Sequence, residues 1–158
     1  DKESSIQKDL AGFTGTWRRM ELVGKFVNAD VYDDYGHNPA KAAAALEGLR
    51  EKYPKDKIVC VFQPHQATRL MALFKEFTKS FGDADNVIFL DVYKVAGRDQ
   101  DVKVTSKDLA GAVKNSVYLA DKNLLAKTIE KIIGKEKGAI VMMGAGDIVN
   151  LTPILLAR

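Results

Sequence analysis

The order of apolar and polar positions divides the chain into short alternating strands and helices. Residues 5–11 carry a brief helical pattern that GFTGT (12–16) breaks. RRMELVGKFV (18–27) partly alternates, as a half-buried strand does. Asn28 and Ala29 then turn the chain into DVYDD (30–34), which predicts a hairpin with its first strand as an antiparallel edge. Asn38 predicts a helix N-cap, with Pro39 at the first helical position and the helix running to about Lys52. KIVCVF (57–62) is continuously apolar, the mark of a strand covered on both faces. Leu70, Leu73, Phe74, Phe77 and Phe81 form one helical stripe that Gly82 ends.

The second half repeats the scheme. NVIFLD (86–91) reads as a strand, and a polar loop over 92–104 leads to Thr105 and Asp108, spaced as a capping box. A short helix to about Asn115 and a strand at SVYLA (116–120) follow. Asp121 caps a helix with Leu124, Leu125, Thr128, Ile129, Ile132 and Ile133 on one face. GAIVMM (138–143) is the last strand, and GAGD (144–147) turns into a closing helical segment that Pro153 either kinks or reopens. Strand–helix alternation predicts an α/β fold of three layers. Its sheet has about six strands, mostly parallel, with helices on both faces and one antiparallel edge strand from the N-terminal hairpin.

Composition narrows the class without changing the picture. A chain of 158 residues favours a single domain. No apolar run approaches the roughly 20 residues of a membrane-spanning helix. The polar start, DKESSIQKDL, has no signal-peptide core, and Asp1 in place of Met suggests a trimmed or excised piece. A net charge of +3, with scattered Lys and Arg, argues against nucleic acid as a partner. The single cysteine, Cys60, lies inside an apolar strand and suits a reducing cytoplasm.

In open α/β sheets ligands bind outside the carboxyl ends of the strands. Polar residues gather there: Asp33 to Asn38 after the second strand, Gln63 to Gln66 and then Arg69 after the third, Asp91 and Tyr93 after the fourth, Gly144 to Asp147 after the last. The only two histidines, His37 and His65, stand 28 residues apart, one strand–helix–strand unit. If their strands are neighbours, roughly 5 Å apart, both imidazoles reach one cleft. Such residues also serve as caps and turn-formers, but two at matching corners beside Arg69 favour a site. A metal set of Asp33, Asp34, His37, His65 and Asp147 lacks tight ligand spacing. No G-x-S-x-G elbow and no P-loop is present. In GAGD, Asp147 opposes an anion, so tight turning is its expected role.

RRMELVG, DDYGHNP, FQPHQATR and GAGDI, in this order, resemble the C-terminal domain of the Mur ligases, most nearly the alanine-adding branch. The resemblance runs from about Phe13 to the end, leaving residues 1–12 as a linker remnant and 13–158 as the domain. It implies a Rossmann-like fold that closes over a site whose P-loop and UDP-sugar pocket belong to N-terminal and central domains outside this chain. It implies an ATP-dependent, Mg²⁺-assisted amide ligase of peptidoglycan synthesis. There the lactyl carboxylate of UDP-N-acetylmuramate becomes an acyl phosphate, and L-alanine attacks it. By itself the domain is expected to be inactive.

Carried over by motif, Arg19 resembles the arginine that reaches ATP phosphate, and Asp34 the aspartate that takes the ribose hydroxyls. Tyr35 and His37 resemble residues lining the amino-acid pocket, with His65, Gln66 and Arg69 on the facing loop. Arg69 would hold the substrate carboxylate. Asn38 and Gln66 depart from the alanine-adding pattern, which commonly has histidine and arginine there. HNP occurs in related folylpolyglutamate and cyanophycin synthetases, the alternative branches. A stand-alone α/β ligand-binding module is the rival from another class.

Overall fold

A computed structural model describes residues 17–97, 99 and 103–157. Strands β1 (Glu21–Phe26) and β2 (Ala29–Asp34) form the expected antiparallel hairpin. Its two turn residues are Val27 and Asn28, one position earlier than the sequence suggests, and Val27 takes the left-handed conformation (φ 55°). Helix α1 spans Pro39–Lys52, and the Asn38 side chain accepts from the Lys41 amide, so cap and first residue are as expected. Strand β3 is Lys57–Phe62.

The stripe from Leu70 to Phe81 is not one helix. It divides into α2 (Ala67–Ala72) and α3 (Phe74–Phe77), with Leu73 off helical geometry between them. Beyond Phe77, the Thr78 and Ser80 hydroxyls donate to the Lys75 and Glu76 carbonyls, a local pairing that competes with helix extension. The stripe still packs: Phe77 and Phe81 lie 5.6 and 5.2 Å from the Phe62 ring.

Strand β4 (Asn86–Phe89), helix α4 (Ser106–Ala112) and strand β5 (Ser116–Tyr118) follow, and Thr105 with Asp108 forms the reciprocal capping box. Asp121 caps a 3₁₀ turn, Lys122–Leu124, that opens into α5 (Leu125–Ile133). Strand β6 is Gly138–Met143. A second 3₁₀ turn, Asp147–Asn150, precedes α6 (Leu151–Leu156), so Pro153 lies in the first turn of the reopened helix. The short helix expected over 5–11 lies outside the described residues.

The sheet runs β1-β2-β6-β3-β4-β5, with every pair parallel except β1 and β2. Its side chains alternate between two apolar layers. Ile58, Cys60, Phe62, Val141 and Met143 face a core with α1 to α4; Val59, Val61, Ile140 and Met142 face α5 and α6. This double burial is why β3 and β6 read as continuous apolar runs. Burial also raises the Cys60 thiol far above its ordinary range and keeps it unreactive. No helix among the described residues is long and apolar enough to cross a membrane.

Candidate functional site

One correction concerns how the histidines meet. Their strands are not neighbours, because β6 lies between β2 and β3. Two sheet spacings amount to roughly 10 Å, yet the His37 and His65 ring centroids are 6.4 Å apart. The loops after β2 and β3 lean together over the end of β6. That strand stops in Gly144-Ala145-Gly146, which puts almost no side chain between them. At Gly144 (φ 155°) a Cβ would stand 2.9 Å from the Gln63 carbonyl oxygen, so a larger residue would push the loops apart.

The β1–β2 hairpin anchors the first loop. Arg18, only 3 % exposed, pairs with Asp33 (Nε to Oδ1 3.0 Å) and donates to the Gly144 carbonyl (2.7 Å). Burial raises the Asp33 carboxyl and outweighs the Arg18 hydrogen bond and charge that lower it. The Asp34 carboxylate accepts the Met20 amide (2.9 Å) with one oxygen and the Gly36 amide (2.7 Å) with the other. Asp34 thus folds the loop as well as lining a cleft of about 470 Å³, which it shares with Arg19, Tyr35 and Lys41.

Tyr35 is 45 % exposed and joins this cleft to the histidines. On one side the Arg18 guanidinium sits 5.4 Å from its ring; on the other the His37 ring is edge-on at 5.4 Å. His37 Nδ1 lies 3.1 Å from the Tyr35 carbonyl, which only accepts, so Nδ1 carries a hydrogen. His65 Nδ1 is buried and has no hydrogen-bond partner among the described residues. Burial lowers the His65 pKa, helped by the charges of Arg69 and His37 and opposed by Asp99, so the ring is neutral at pH 7. Arg69 is half-buried and makes no ion pair with a described residue. Gln66 takes a left-handed φ of 68°, costly for a residue other than glycine, at the junction of β3 and α2.

The sequence-predicted residues therefore fall into two adjoining groups on one rim. Tyr35, His37, His65, Gln66 and Arg69 form one; Arg19 and Asp34 form the other. Asn38 belongs to neither, because its side chain caps α1. No three His, Cys, Asp or Glu residues converge closely enough to hold a metal among the described residues. Asp147 is engaged by Gln63 (2.6 Å) and Lys122 (3.0 Å). Sequence reasoning missed Lys41 and Asp99 as contributors and named Tyr93 only as a rim residue. Lys41, three residues past an N-cap, carried a usable signal; Asp99, deep in a polar loop, carried none.

Comparison with known proteins finds relatives of the chain. The profile of the family described as "Mur ligase, glutamate ligase domain" matches residues 18–146. A UDP-N-acetylmuramate–L-alanine ligase of Alkaliphilus metalliredigens is 39 % identical over 158 residues, covering 98 % of this chain and 34 % of that protein. One of Clostridium botulinum is 37 % identical over 156 residues, covering 93 % and 32 %. The chain spans about a third of the length of these relatives. Among solved structures, UDP-N-acetylmuramate–alanine ligase from Thermotoga maritima superposes with a TM-score of 0.73 at 26 % identity, over 98 % of this chain and 34 % of that one. A single domain of a putative UDP-N-acetylmuramate:L-alanyl-gamma-D-glutamyl-diaminopimelate ligase from Haemophilus ducreyi shares the fold at 24 % identity (TM-score 0.66), covering 88 % of this chain and 98 % of that one. With the profile spanning most of its length and the motif residues gathered on one rim, the chain belongs to the Mur ligase, glutamate ligase domain family.

Proposed function

We propose that this chain is the amino-acid-binding domain of an ATP-dependent ligase that joins L-alanine to UDP-N-acetylmuramate in the cytoplasm, with residues 13–158 as the domain. The observation that carries this reading is the meeting of His37 and His65, 6.4 Å apart, beside a guanidinium at Arg69 that no described carboxylate neutralises. A fork of N–H donors next to a neutral imidazole suits a carboxylate, with a second polar group alongside. An L-amino acid offers both. The relatives named for this reaction, at 37–39 % identity, support the choice of alanine.

ATP fits the adjoining cleft through its phosphates, because Arg19 and Lys41 bring two cations to a wall that Ala44 and Ala45 keep apolar. When bound, ATP supplies the phosphoryl group that activates the acceptor carboxylate. Mg²⁺ does not fit these residues: Asp33 is committed to Arg18, and Asp34 to two backbone amides. A metal is therefore the business of the N-terminal and central domains, as are the P-loop and the UDP-sugar pocket. Asn38 in its cap role removes nothing from the amino-acid pocket. Gln66 in place of arginine leaves Arg69 as that loop's cation.

The test is phosphate release by the whole gene product with ATP, Mg²⁺, UDP-N-acetylmuramate and a panel of L-alanine, glycine, L-serine and larger amino acids. L-alanine is expected to give the highest kcat/KM. Arg69→Ala should lower kcat/KM for the amino acid by about 10–100-fold, the worth of a charged hydrogen bond, with the KM for ATP nearly unchanged. A preference for a large or acidic amino acid, or equal losses for both substrates, overturns the assignment. A gene product with no P-loop of its own favours a binding module instead.

A further inference from the structure

Tyr93, on the loop between β4 and α4, is tied to the histidine site more closely than packing requires. Its amide donates to the Pro64 carbonyl (2.8 Å), and its carbonyl accepts the Gln66 amide (2.9 Å). Those two bonds make a single-residue parallel bridge between His65 and Tyr93, past the ends of β3 and β4. The Tyr93 ring stacks on the His65 imidazole, with centroids 5.3 Å apart and planes 17° from parallel. Gly146 lies against the base of the Tyr93 side chain. A Cβ there would come within 2.6 Å of Tyr93 Cγ and 2.7 Å of its Cβ, so the second glycine of GAGD makes room for this side chain. Further along, Asp99 fastens the same loop to the amide and hydroxyl of Thr68 and to the Val95 amide.

We propose that Tyr93 is a positioning residue of the amino-acid pocket: seated against Gly146, it fixes the plane of the His65 ring opposite His37. Only the identity of the ligand rests on the function proposed above. Tyr93 remains 38 % exposed, so it is no core residue. The same two backbone bonds hold Gln66 in its left-handed conformation, which persists only where the surroundings over-determine it. With the ring clamped, His65 keeps its buried nitrogen inward and presents a single edge to the pocket. Among the described residues, the charged or titratable groups around it are Arg69, His37, Asp99 and Tyr93 itself.

The first arm of the test uses the 158-residue chain and needs no substrate. In NMR spectra the His65 ring protons should be shielded by the Tyr93 ring current. Tyr93→Ala should abolish that shielding and raise the His65 titration midpoint as water reaches the imidazole. Tyr93→Phe should preserve both. Gly146→Ala should reproduce the effect of Tyr93→Ala with the tyrosine still present, because its φ of −90° tolerates alanine and the steric clash falls on Tyr93 and Gln63. The second arm uses the whole gene product: Tyr93→Ala should raise the KM for L-alanine about tenfold, the scale of a small misplacement, more than it lowers kcat, with Tyr93→Phe restoring it. Unchanged His65 ring shifts in Tyr93→Ala, or failure of Tyr93→Phe to rescue, overturns the proposal. If Tyr93→Ala does not fold, the His65 ring shifts of Gly146→Ala decide in its place. If L-alanine proves not to be the substrate, the first arm still decides for or against Tyr93 while the functional reading falls.

Discussion

Five cations at the two ends of the sheet are partnered in opposite ways. At the amino end, Arg50 donates to the carbonyls of Tyr53, Asp56 and Asp83 and to the Asp85 carboxylate, which also accepts the Ile58 amide. Nearby Lys57 pairs with Glu136 at 2.8 Å. At the carboxyl end, Arg19, Lys41 and Arg69 make no ion pair with any described residue. The polar cleft at the amino end is also the larger, about 760 Å³ against 470 Å³. Size therefore does not mark the site. A guanidinium whose donors are all used holds the fold together, whereas one left without a partner is available to a ligand. Arg18 shows that the rule follows partners rather than position: it sits at the carboxyl end, as does Lys122 on Asp147, yet it is held by Asp33 and the Gly144 carbonyl.

The largest effect should come from that exception. Arg18→Ala leaves the Asp33 carboxylate and the Gly144 carbonyl buried without their donor, and should cost about 3–5 kcal/mol in urea unfolding. The loss should shrink at lower pH. Burial already raises the Asp33 pKa in the folded state. Between the unfolded and folded values the native chain binds more protons, so stability falls as pH rises through that window. Losing Arg18 widens it. A loss under about 1 kcal/mol, or one that grows in acid, breaks the view that Arg18 is structural.

Next in size is Arg50→Ala, expected to cost about 2 kcal/mol because charged hydrogen bonds are lost at a rim that water partly reaches. Arg69→Ala, by contrast, should stay within about 0.5 kcal/mol of the wild type. Equal costs for the two arginines would erase the contrast between the rims.

The smallest effect is local and belongs to the Tyr93 loop. Burial alone would raise the Asp99 carboxyl, but the amides of Val95 and Thr68 and the Thr68 hydroxyl hold it below the usual carboxylate range. Its contribution is complete above the unfolded value of about 3.9 and is lost as pH falls through the lowered one. Amide exchange should therefore speed up at residues 91–97 in acid before it does in β3 and β6, and Asp99→Asn should show the faster exchange already at pH 7. Uniform protection across loop and core at every pH would remove Asp99 from this role.

Where local chemistry was sufficient, the sequence told the fold plainly. Asn38-Pro39 marked the start of α1, Thr105 and Asp108 the start of α4, and the unbroken apolar runs the two central strands. The stripe from Leu70 to Phe81 told which side chains face Phe62 but not that the helix stops at Leu73. A stripe reports facing, and the facing survives a break.

Alone, the sequence determined the α/β alternation, the strands buried on both faces, the caps, and the rim on which the motif residues gather, because each follows from neighbours a few positions apart. Only the tertiary structure decided that β6 runs between β2 and β3, that Arg18 is spent on Asp33 while Arg19 is not, and that Tyr93 stacks on His65. Those facts depend on which distant segments share a sheet edge and which donors find acceptors there, and spacing along a chain does not carry that information.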